Sequence, residues 1–421
     1  MERQLARRRA DHLMTMTLPS GSLTILAADT VQGDLLDQVA SVQQPQWRGH
    51  PALDQAKTLL REFPSLVTVA ELNLLRMALA TVAEGDAILM QIGDCAESFH
   101  ECTESHTSDK LAVLDTVATH AASRLGLPAV QVGRIGGQFA KPRSAPVELH
   151  EGRELPVFRG HLINSEIATP AARRHDPRRM LWAYEAGRKV AARLESRRGV
   201  HESRPPGGIG PWSSHEMLVI DYEASLLRTD SGSGVRILGS THFPWVGERT
   251  RQPGGAHVHL LAAVHNPVAC KIGPGATTAE VTELCELLDP DRIPGRLTLI
   301  TRMGARVVTE ALPPIAAAVR RAGHPVIWLC DPMHGNTVRA ATGVKTRHLT
   351  DMARETRSVR TILESLKLHP GGLHLEVAAS QVTECVGSGV ADNGSMLARY
   401  TTLCDPRLNL DQAAELIDAW T

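Results

Sequence analysis

Six apolar stretches of this chain each run into a charged or metal-capable side chain, and that repetition constrains the fold more than any local motif does. Residues 87–93 lead to Cys95, 129–133 to Arg134, 267–269 to Lys271, 297–300 to Arg302, 325–329 to His334 and 373–375 to Glu376. Short runs apolar on both faces suit strands of a parallel sheet buried between an interior and an outer layer of helices. In a β/α barrel every strand ends on the same face, and the active site lies there. The expected fold is therefore α/β, a β/α barrel, with the six side chains gathered at one mouth. A single such residue is equally well a charge capping a strand at solvent; six in series are not.

The 421 residues accommodate one barrel with appendages. With 45 basic against 46 acidic residues the surface carries no broad field for nucleic acid or an anionic membrane, so any anion site is local. The apolar runs fall far short of the roughly 20 residues that span a bilayer. Seven cysteines, odd in number and scattered, fit neither a zinc ribbon nor a secreted disulfide scaffold, and a reducing cytoplasm is expected.

Residues 1–32, with Arg3, Arg7, Arg8 and Arg9, read as a disordered tail; a transit peptide or an early start codon before Met14 or Met16 are the alternatives. Residues 33–84 read as an N-terminal helical extension, with Leu35, Leu36, Val39, Leu59, Leu60, Leu72, Leu75 and Leu79 at turn-like spacings. It is expected to cover the barrel or form a subunit contact. Residues 85–421 are the catalytic barrel.

After a helical stripe of Leu111, Leu114, Val117 and Ala121 and a second strand, Gly133 opens a loop carrying Arg134, Gly136, Gly137, Lys141, Arg143 and Ser144. Glycines let backbone amides approach an anion, and three cations with a hydroxyl suit a phosphate. The spacing is not that of a nucleotide-binding GxxxxGK[ST] loop, and a solvated basic loop is the plainer alternative. Residues 195–210 read as a surface connection. Ser213-Ser214-His215-Glu216 is expected to cap a helix continuing through Met217, Leu218 and Tyr222. Residues 235–239 are expected as a further strand feeding a loop in which Glu248 and Arg249 either hold a water or substrate carboxylate or form a structural ion pair.

These blocks together resemble the class II 3-deoxy-D-arabino-heptulosonate 7-phosphate (DAHP) synthases. The likeness spans about Gln43 to Trp420 and rests on Gly93-Asp94-Cys95-Ala96-Glu97, Gly133-Arg134-Ile135 with Gly137-Gln138, Lys141-Pro142-Arg143-Ser144, Gly247-Glu248-Arg249-Thr250-Arg251, Asp331-Pro332-Met333-His334-Gly335-Asn336-Thr337 and Cys404-Asp405-Pro406-Arg407-Leu408-Asn409. It is nearest the short members of phenazine pathways, sharing Asn266-Pro267-Val268-Ala269-Cys270-Lys271 and the run from Gly323 to Leu329, which points to secondary metabolism. The resemblance implies a (β/α)8 TIM barrel and metal-assisted condensation of phosphoenolpyruvate with erythrose 4-phosphate. By matched position the metal ligands are Cys95, His334, Glu376 and Asp405. Phosphoenolpyruvate is assigned to Arg134, Glu248, Arg249, Lys271 and Arg302, and the aldose phosphate to Lys141, Arg143 and Ser144. Lys271, His334 and Glu248 take the catalytic roles. One thiolate, one imidazole and two carboxylates suit a first-row divalent ion such as manganese, cobalt, iron or zinc better than magnesium, and the resemblance favours manganese.

The resemblance also implies a homo-oligomer, expected as a dimer, and a possible complex with chorismate mutase. His161 stands where the family carries aspartate, and Ala378-Ala379-Ser380-Gln381 replaces a more acidic stretch, so a same-family synthase for another aldose phosphate, such as aminoDAHP synthase, is the main rival. A non-catalytic partner of a shikimate enzyme is a lesser one. The short interval from Tyr184 to His215 predicts weak inhibition by aromatic amino acids. Cys404, beside Asp405, is expected either to pair with Cys95 on oxidation of metal-free protein or to be an unrelated thiol.

Overall fold

The computed structural model describes residues 39–199 and 208–421; the N-terminal tail, with Leu35 and Leu36 of the expected extension, lies outside them. Eight strands close into a parallel barrel: β1 (Ile88–Gly93), β2 (Ala129–Arg134), β3 (Gly208–Glu216), β4 (Phe243–Val246), β5 (Val268–Ile272), β6 (Leu297–Thr301), β7 (Ile327–Cys330) and β8 (Pro370–Glu376). Each pairs with its neighbours in sequence, and β8 returns to β1 with Gly93 opposite Glu376. Among the described residues two helices precede the barrel, α1 (Leu53–Glu62) and α2 (Val69–Glu84). One helix then follows every strand: α3 (Glu104–Leu125), α4 (Arg179–Gly199), α5 (Ile220–Ser225), α6 (Ala256–Ala262), α7 (Thr278–Leu288), α8 (Val308–Arg321), α9 (Leu349–Ser365) and α10 (Leu410–Trp420). No described helix is long and apolar enough to cross a membrane.

Alternation along the strands builds the site. Side chains point alternately inward and outward, and Leu373 and Leu375 of β8, like Val268, Cys270 and Ile272 of β5, pack outward into the core shared with the helices. The inward residues are apolar low in the barrel, where Leu89, Val130, Val132, Phe243, Ala269, Ile300, Ile327 and Leu329 cluster with Leu75, Leu79 and Val82 of α2. Thus α2 stoppers the amino-terminal end. Its start is fixed by a capping box between Thr68 and Glu71, and its end by Gly85 at φ 95°. Higher up, the same inward positions turn polar: Gln91, Arg134, Ser214, Glu216, Lys271, Asp331, His374 and Glu376 are all buried.

Two expectations are corrected. Ser213-Ser214-His215-Glu216 does not open a helix; it is the end of β3. The Ser213 hydroxyl pairs with His242 Nδ1 at 2.8 Å instead of capping, and a helix begins only at Ile220. Polar inward residues of a barrel strand look like a helix start when the register is unknown. Residues 235–239 do not supply a barrel strand either. Arg236–Leu238 pairs antiparallel with Leu227–Thr229 in a separate hairpin, and the barrel strand is β4. Pro244 within β4 breaks the strand signature, although it lies opposite His215 in the register. The expected extension is helical only from Leu53; residues 39–52, Val39 included, form no helix.

Candidate active site at the carboxyl ends of the strands

Cys95, His334, Glu376 and Asp405 meet at the barrel mouth through an unbroken chain of contacts. Asp405 donates its backbone N–H to the Cys95 sulfur at 3.1 Å, and its carboxylate lies 3.7 Å from the same atom. The Lys141 ammonium spans Asp405 and Glu376 at 3.7 and 3.4 Å. His334 Nε2 lies 3.2 Å from Glu376. Gly93 lets β1 turn out toward Cys95: its φ is 156°, and a Cβ there would fall 2.5 Å from the Arg134 carbonyl.

Glu376 is wholly buried at the end of β8, with Arg134 at 3.0 Å and Arg347 at 2.8 Å. Burial works against its charge, but His334, Lys141, Arg347 and Arg134 outweigh it and hold the carboxyl well below the usual carboxylate range. Burial, then the Cys404 hydrogen bond and Glu376, push the Cys95 thiol well up.

These residues fit a divalent ion. Asp331 accepts from His334 Nδ1 at 2.7 Å, the carboxylate–imidazole pairing that fixes a metal-binding tautomer. Nε2 then faces the Glu376 carboxylate, acceptor toward acceptor, an arrangement that a cation between them relieves. Ligand atoms about 2.0–2.3 Å from a tetrahedral ion stand about 3.3–3.8 Å apart; of the six pairs among these four residues, His334–Glu376 at 3.2 Å and Cys95–Asp405 at 3.7 Å lie near that range. Among the described residues, the three metal-capable side chains whose ligand atoms all lie within 4.8 Å of one another are a different set that shares His334: Asp331, His334 and His374. There Lys271 already holds Asp331 at 2.7 Å and Arg134 holds His374 at 2.9 Å. Cations hold members of the sulfur-containing set as well, Arg134, Arg347 and Lys141 on Glu376 and Lys141 on Asp405.

Beside this cluster the expected anion-binding cations converge. Arg134 and Lys271 both lie over the Trp245 ring, 5.4 and 5.9 Å from its centroid. Lys271 is also 3.4 Å from His334 Nδ1, and Arg302 donates to the His334 carbonyl at 2.8 Å. Burial lowers the Lys271 ammonium, with Asp331 opposing and Arg134 reinforcing the shift. Glu248 and Arg302 flank Gly273, where a Cβ would fall 3.0 Å from Glu248 Cδ and 3.1 Å from the Arg302 guanidinium. Glu248 pairs with Arg251 at 3.1 Å, not with Arg249.

Arg249 instead reaches the Ser144 hydroxyl at 2.6 Å, so the structure joins it to the loop expected for the aldose. Arg143 donates to the Phe158 carbonyl at 3.0 Å and to Cys404 at 3.5 Å. Arg143 and Ser144 line a cavity of about 590 Å³ together with Arg159, Arg173 and Arg174. Lys141, the third residue of that expected set, is engaged by Glu376 and Asp405.

Several site residues escaped sequence reasoning. Glu216 is the last inward residue of β3; its carboxylate lies where a Gly247 Cβ would sit, and one oxygen is buried without a partner. Assigning 213–216 to a strand would have found it. Asp331 directly follows β7, two residues beyond inward Leu329. Arg347 sits in the hairpin of Thr337–Arg339 with Lys345–Arg347, and no strand periodicity points to it.

Comparison with known proteins follows the same lines. Residues 32–204 and 198–419 match the Class-II DAHP synthetase family. The chain is 46% identical over 390 residues to a probable phospho-2-dehydro-3-deoxyheptonate aldolase of Pseudomonas fluorescens, covering 92% of this chain and 97% of that protein. It is 38% identical over 433 residues to a phospho-2-dehydro-3-deoxyheptonate aldolase of Streptomyces coelicolor, covering 91% and 95%. A solved phospho-2-dehydro-3-deoxyheptonate aldolase of Francisella tularensis is similar at TM-score 0.48 and 13% identity, over 87% of this chain and 97% of that one. That likeness is loose, and the barrel assignment rests on the strand pairing.

Proposed function

The chain belongs to the class-II DAHP synthetase family, and from that premise we propose how its barrel mouth condenses phosphoenolpyruvate with D-erythrose 4-phosphate and water to give DAHP and phosphate. The activity is that of a DAHP synthase, 3-deoxy-7-phosphoheptulonate synthase. The observation that carries our reading of the site is the meeting of Arg134, Lys271 and Arg302 with the Cys95–His334–Glu376–Asp405 cluster at one end of the barrel.

In this reading Arg134, Lys271 and Arg302 neutralise the phosphate and carboxylate of phosphoenolpyruvate. Each charge-assisted bond is worth roughly 1.5–3 kcal/mol, so several together offset the hydration the ligand loses. Arg249, Arg143 and Ser144 receive the aldose phosphate, with Arg249 between the two substrates. Cys95, His334, Glu376 and Asp405 hold one first-row divalent ion, taken as manganese from the family resemblance, with cobalt, iron and zinc equally compatible with the donors. When bound, that ion supplies Lewis-acid polarisation of the aldehyde. Glu248, held by Arg251, orients the water that adds to the phosphate-bearing carbon, and Lys271 and His334 move protons. Asp331 keeps both of them in place.

The finer placement follows from lengths and surfaces. Only eight residues separate α4 from β3, which supports the short, phenazine-type placement and a role in secondary metabolism. Leu74 and Met77 give α2 an apolar outward face, 60% and 67% exposed, and we read that helix as the dimer contact; a complex with chorismate mutase stays open to the same surface. The different-aldose reading rests on His161, whose ring is bound by Glu166 at 2.5 Å. The deciding experiment follows phosphate release from phosphoenolpyruvate with erythrose 4-phosphate and with competing aldose phosphates, before and after chelation. Release that needs the ion and prefers erythrose 4-phosphate supports the proposal; preference for another aldehyde moves the chain to the rival reading.

A further inference from the structure

The mouth of the barrel is held from outside by a carboxylate that touches neither substrate nor ion in the arrangement above. Glu355, on α9, is completely buried. Among the described residues no lysine or arginine forms an ion pair with it, so it is not part of a salt-bridge network. Its Oε1 accepts the backbone N–H groups of Met303 and Gly304 at 2.8 and 2.7 Å. Its Oε2 accepts from Asn336 Nδ2 at 2.6 Å.

Those partners belong to two different loops. Met303 and Gly304 follow Arg302 after β6, and Asn336 follows His334 after β7. Asn336 closes the clamp by accepting the Ala305 N–H at 2.9 Å while donating to the Pro332 carbonyl at 2.8 Å. The two loops are in backbone contact: a Cβ on Gly335 would fall 2.4 Å from the Gly304 nitrogen. Arg302 in turn donates to the His334 carbonyl.

A carboxylate buried without a counter-charge is costly, and an apolar side chain of similar size would serve packing better. What the carboxylate does supply is a pair of acceptors at fixed spacing for three donors on two loops. We propose that Glu355 is a positioning residue, whose clamp on the Met303–Gly304 amides and on Asn336 fixes Arg302 and His334 relative to each other. Through it, the cation that meets phosphoenolpyruvate and the imidazole of the metal cluster are held in one register. Burial, reinforced by the charge of Asp331, raises the Glu355 carboxyl to about 7 against the amide donors of Gly304, Asn336 and Met303, which lower it.

The inference rests on the reading that Arg302 meets phosphoenolpyruvate, so the test carries that reading as a separate arm. Glu355→Gln keeps the shape but sets an amide donor against a donor, Asn336→Ala opens the second half of the clamp, and Arg302→Ala removes the cation. Each full-length variant is measured for KM of phosphoenolpyruvate, KM of erythrose 4-phosphate, kcat, and the manganese dissociation constant by calorimetry. Loss of one charge-assisted hydrogen bond corresponds to about tenfold. For Glu355→Gln we expect KM of phosphoenolpyruvate to rise by about that factor, manganese binding to weaken, and KM of erythrose 4-phosphate to stay within about twofold.

If Arg302→Ala raises the phosphoenolpyruvate KM while Glu355→Gln and Asn336→Ala do not, the positioning role is wrong. If Glu355→Gln lowers only the melting temperature, the carboxylate is structural and the inference fails. An unchanged KM in Arg302→Ala instead overturns the assignment of the substrate. Should Glu355→Gln not accumulate folded, half-buried Asn336 carries the test, with a raised phosphoenolpyruvate KM and weakened manganese binding supporting the clamp and unchanged values refuting it.

Discussion

Asp331→Asn perturbs the site at the point where its two halves join. Asp331 is wholly buried; it accepts from Lys271 at 2.7 Å and from His334 Nδ1 at 2.7 and 3.0 Å. Burial works against its charge, but His334 and Lys271 outweigh it and hold the carboxyl well below the usual range. The substitution keeps the volume and removes the charge. Lys271 then has no carboxylate partner in the barrel lumen, and breaking a buried pair in this way costs about 3–5 kcal/mol. His334 loses the acceptor that fixes its tautomer, a change that lowers metal affinity about 10–100-fold, or about 1.4–2.7 kcal/mol. We expect metal-free Asp331→Asn to lose about 3 kcal/mol of stability, manganese affinity to fall about 10–100-fold, and kcat/KM for phosphoenolpyruvate to fall at least as far as the metal affinity. Calorimetric titration with manganese beside Cys95→Ser gives the decisive contrast. If Asp331, His334 and His374 were the ligands, Asp331→Asn would abolish binding and Cys95→Ser would leave it intact; that pattern, or manganese affinity unchanged within about twofold in Asp331→Asn, refutes the reasoning.

Three further outcomes are expected. Gly372, at φ 136° in the middle of β8, has the Leu89 carbonyl where a Cβ would sit, 2.0 Å away; Gly372→Ala should cost about 3 kcal/mol or more in denaturant unfolding, and a loss below about 0.5 kcal/mol would contradict the strand pairing. The Cys404 thiol hydrogen-bonds that of Cys95, so metal-free protein treated with hydrogen peroxide should form the Cys95–Cys404 disulfide, the two thiols giving two electrons and two protons to the peroxide; peptide mass spectrometry that never finds this cross-link removes the idea. Burial, with Arg159 adding to it, lowers the His175 imidazole from 6.5 to about 4. The unfolded chain therefore takes up the proton first, and stability falls as pH drops through that window; His175 is partly solvated, so the screened contribution is about 1 kcal/mol, and His175→Gln should flatten the acid side of the unfolding profile.

The site was readable where the strand register and the chemistry coincide. Arg134 and Glu376 close apolar runs and prove to be inward, last-position residues of their strands; Lys271 is the penultimate residue of β5 and Arg302 follows β6 directly. Glu216 obeys it too and was missed, because Ser213-Ser214-His215-Glu216 carries helix-start residues and the runs beside it contain Pro211 and Pro244. His334 lies beyond the end of β7 but was reached from the apolar run before it, whereas Asp405 follows no such run and only the resemblance reached it. Arg347 and Glu355 come from a hairpin and from the helical layer, and their carboxylate and amide partners are set by tertiary packing that no local period records. Arg249 shows the opposite case: its neighbour in sequence is Glu248, but its partner in space is Ser144.

The central claim is that a cysteine sulfur from the end of β1 shares one metal ion with His334, Glu376 and Asp405. Cobalt(II) reports sulfur ligation directly through a thiolate-to-metal charge-transfer band in the near ultraviolet. The account predicts that band in the cobalt-loaded protein and its loss in Cys95→Ser, with one equivalent of cobalt still binding weakly. A cobalt-loaded protein without the band, or Cys95→Ser retaining it in full, would contradict the account.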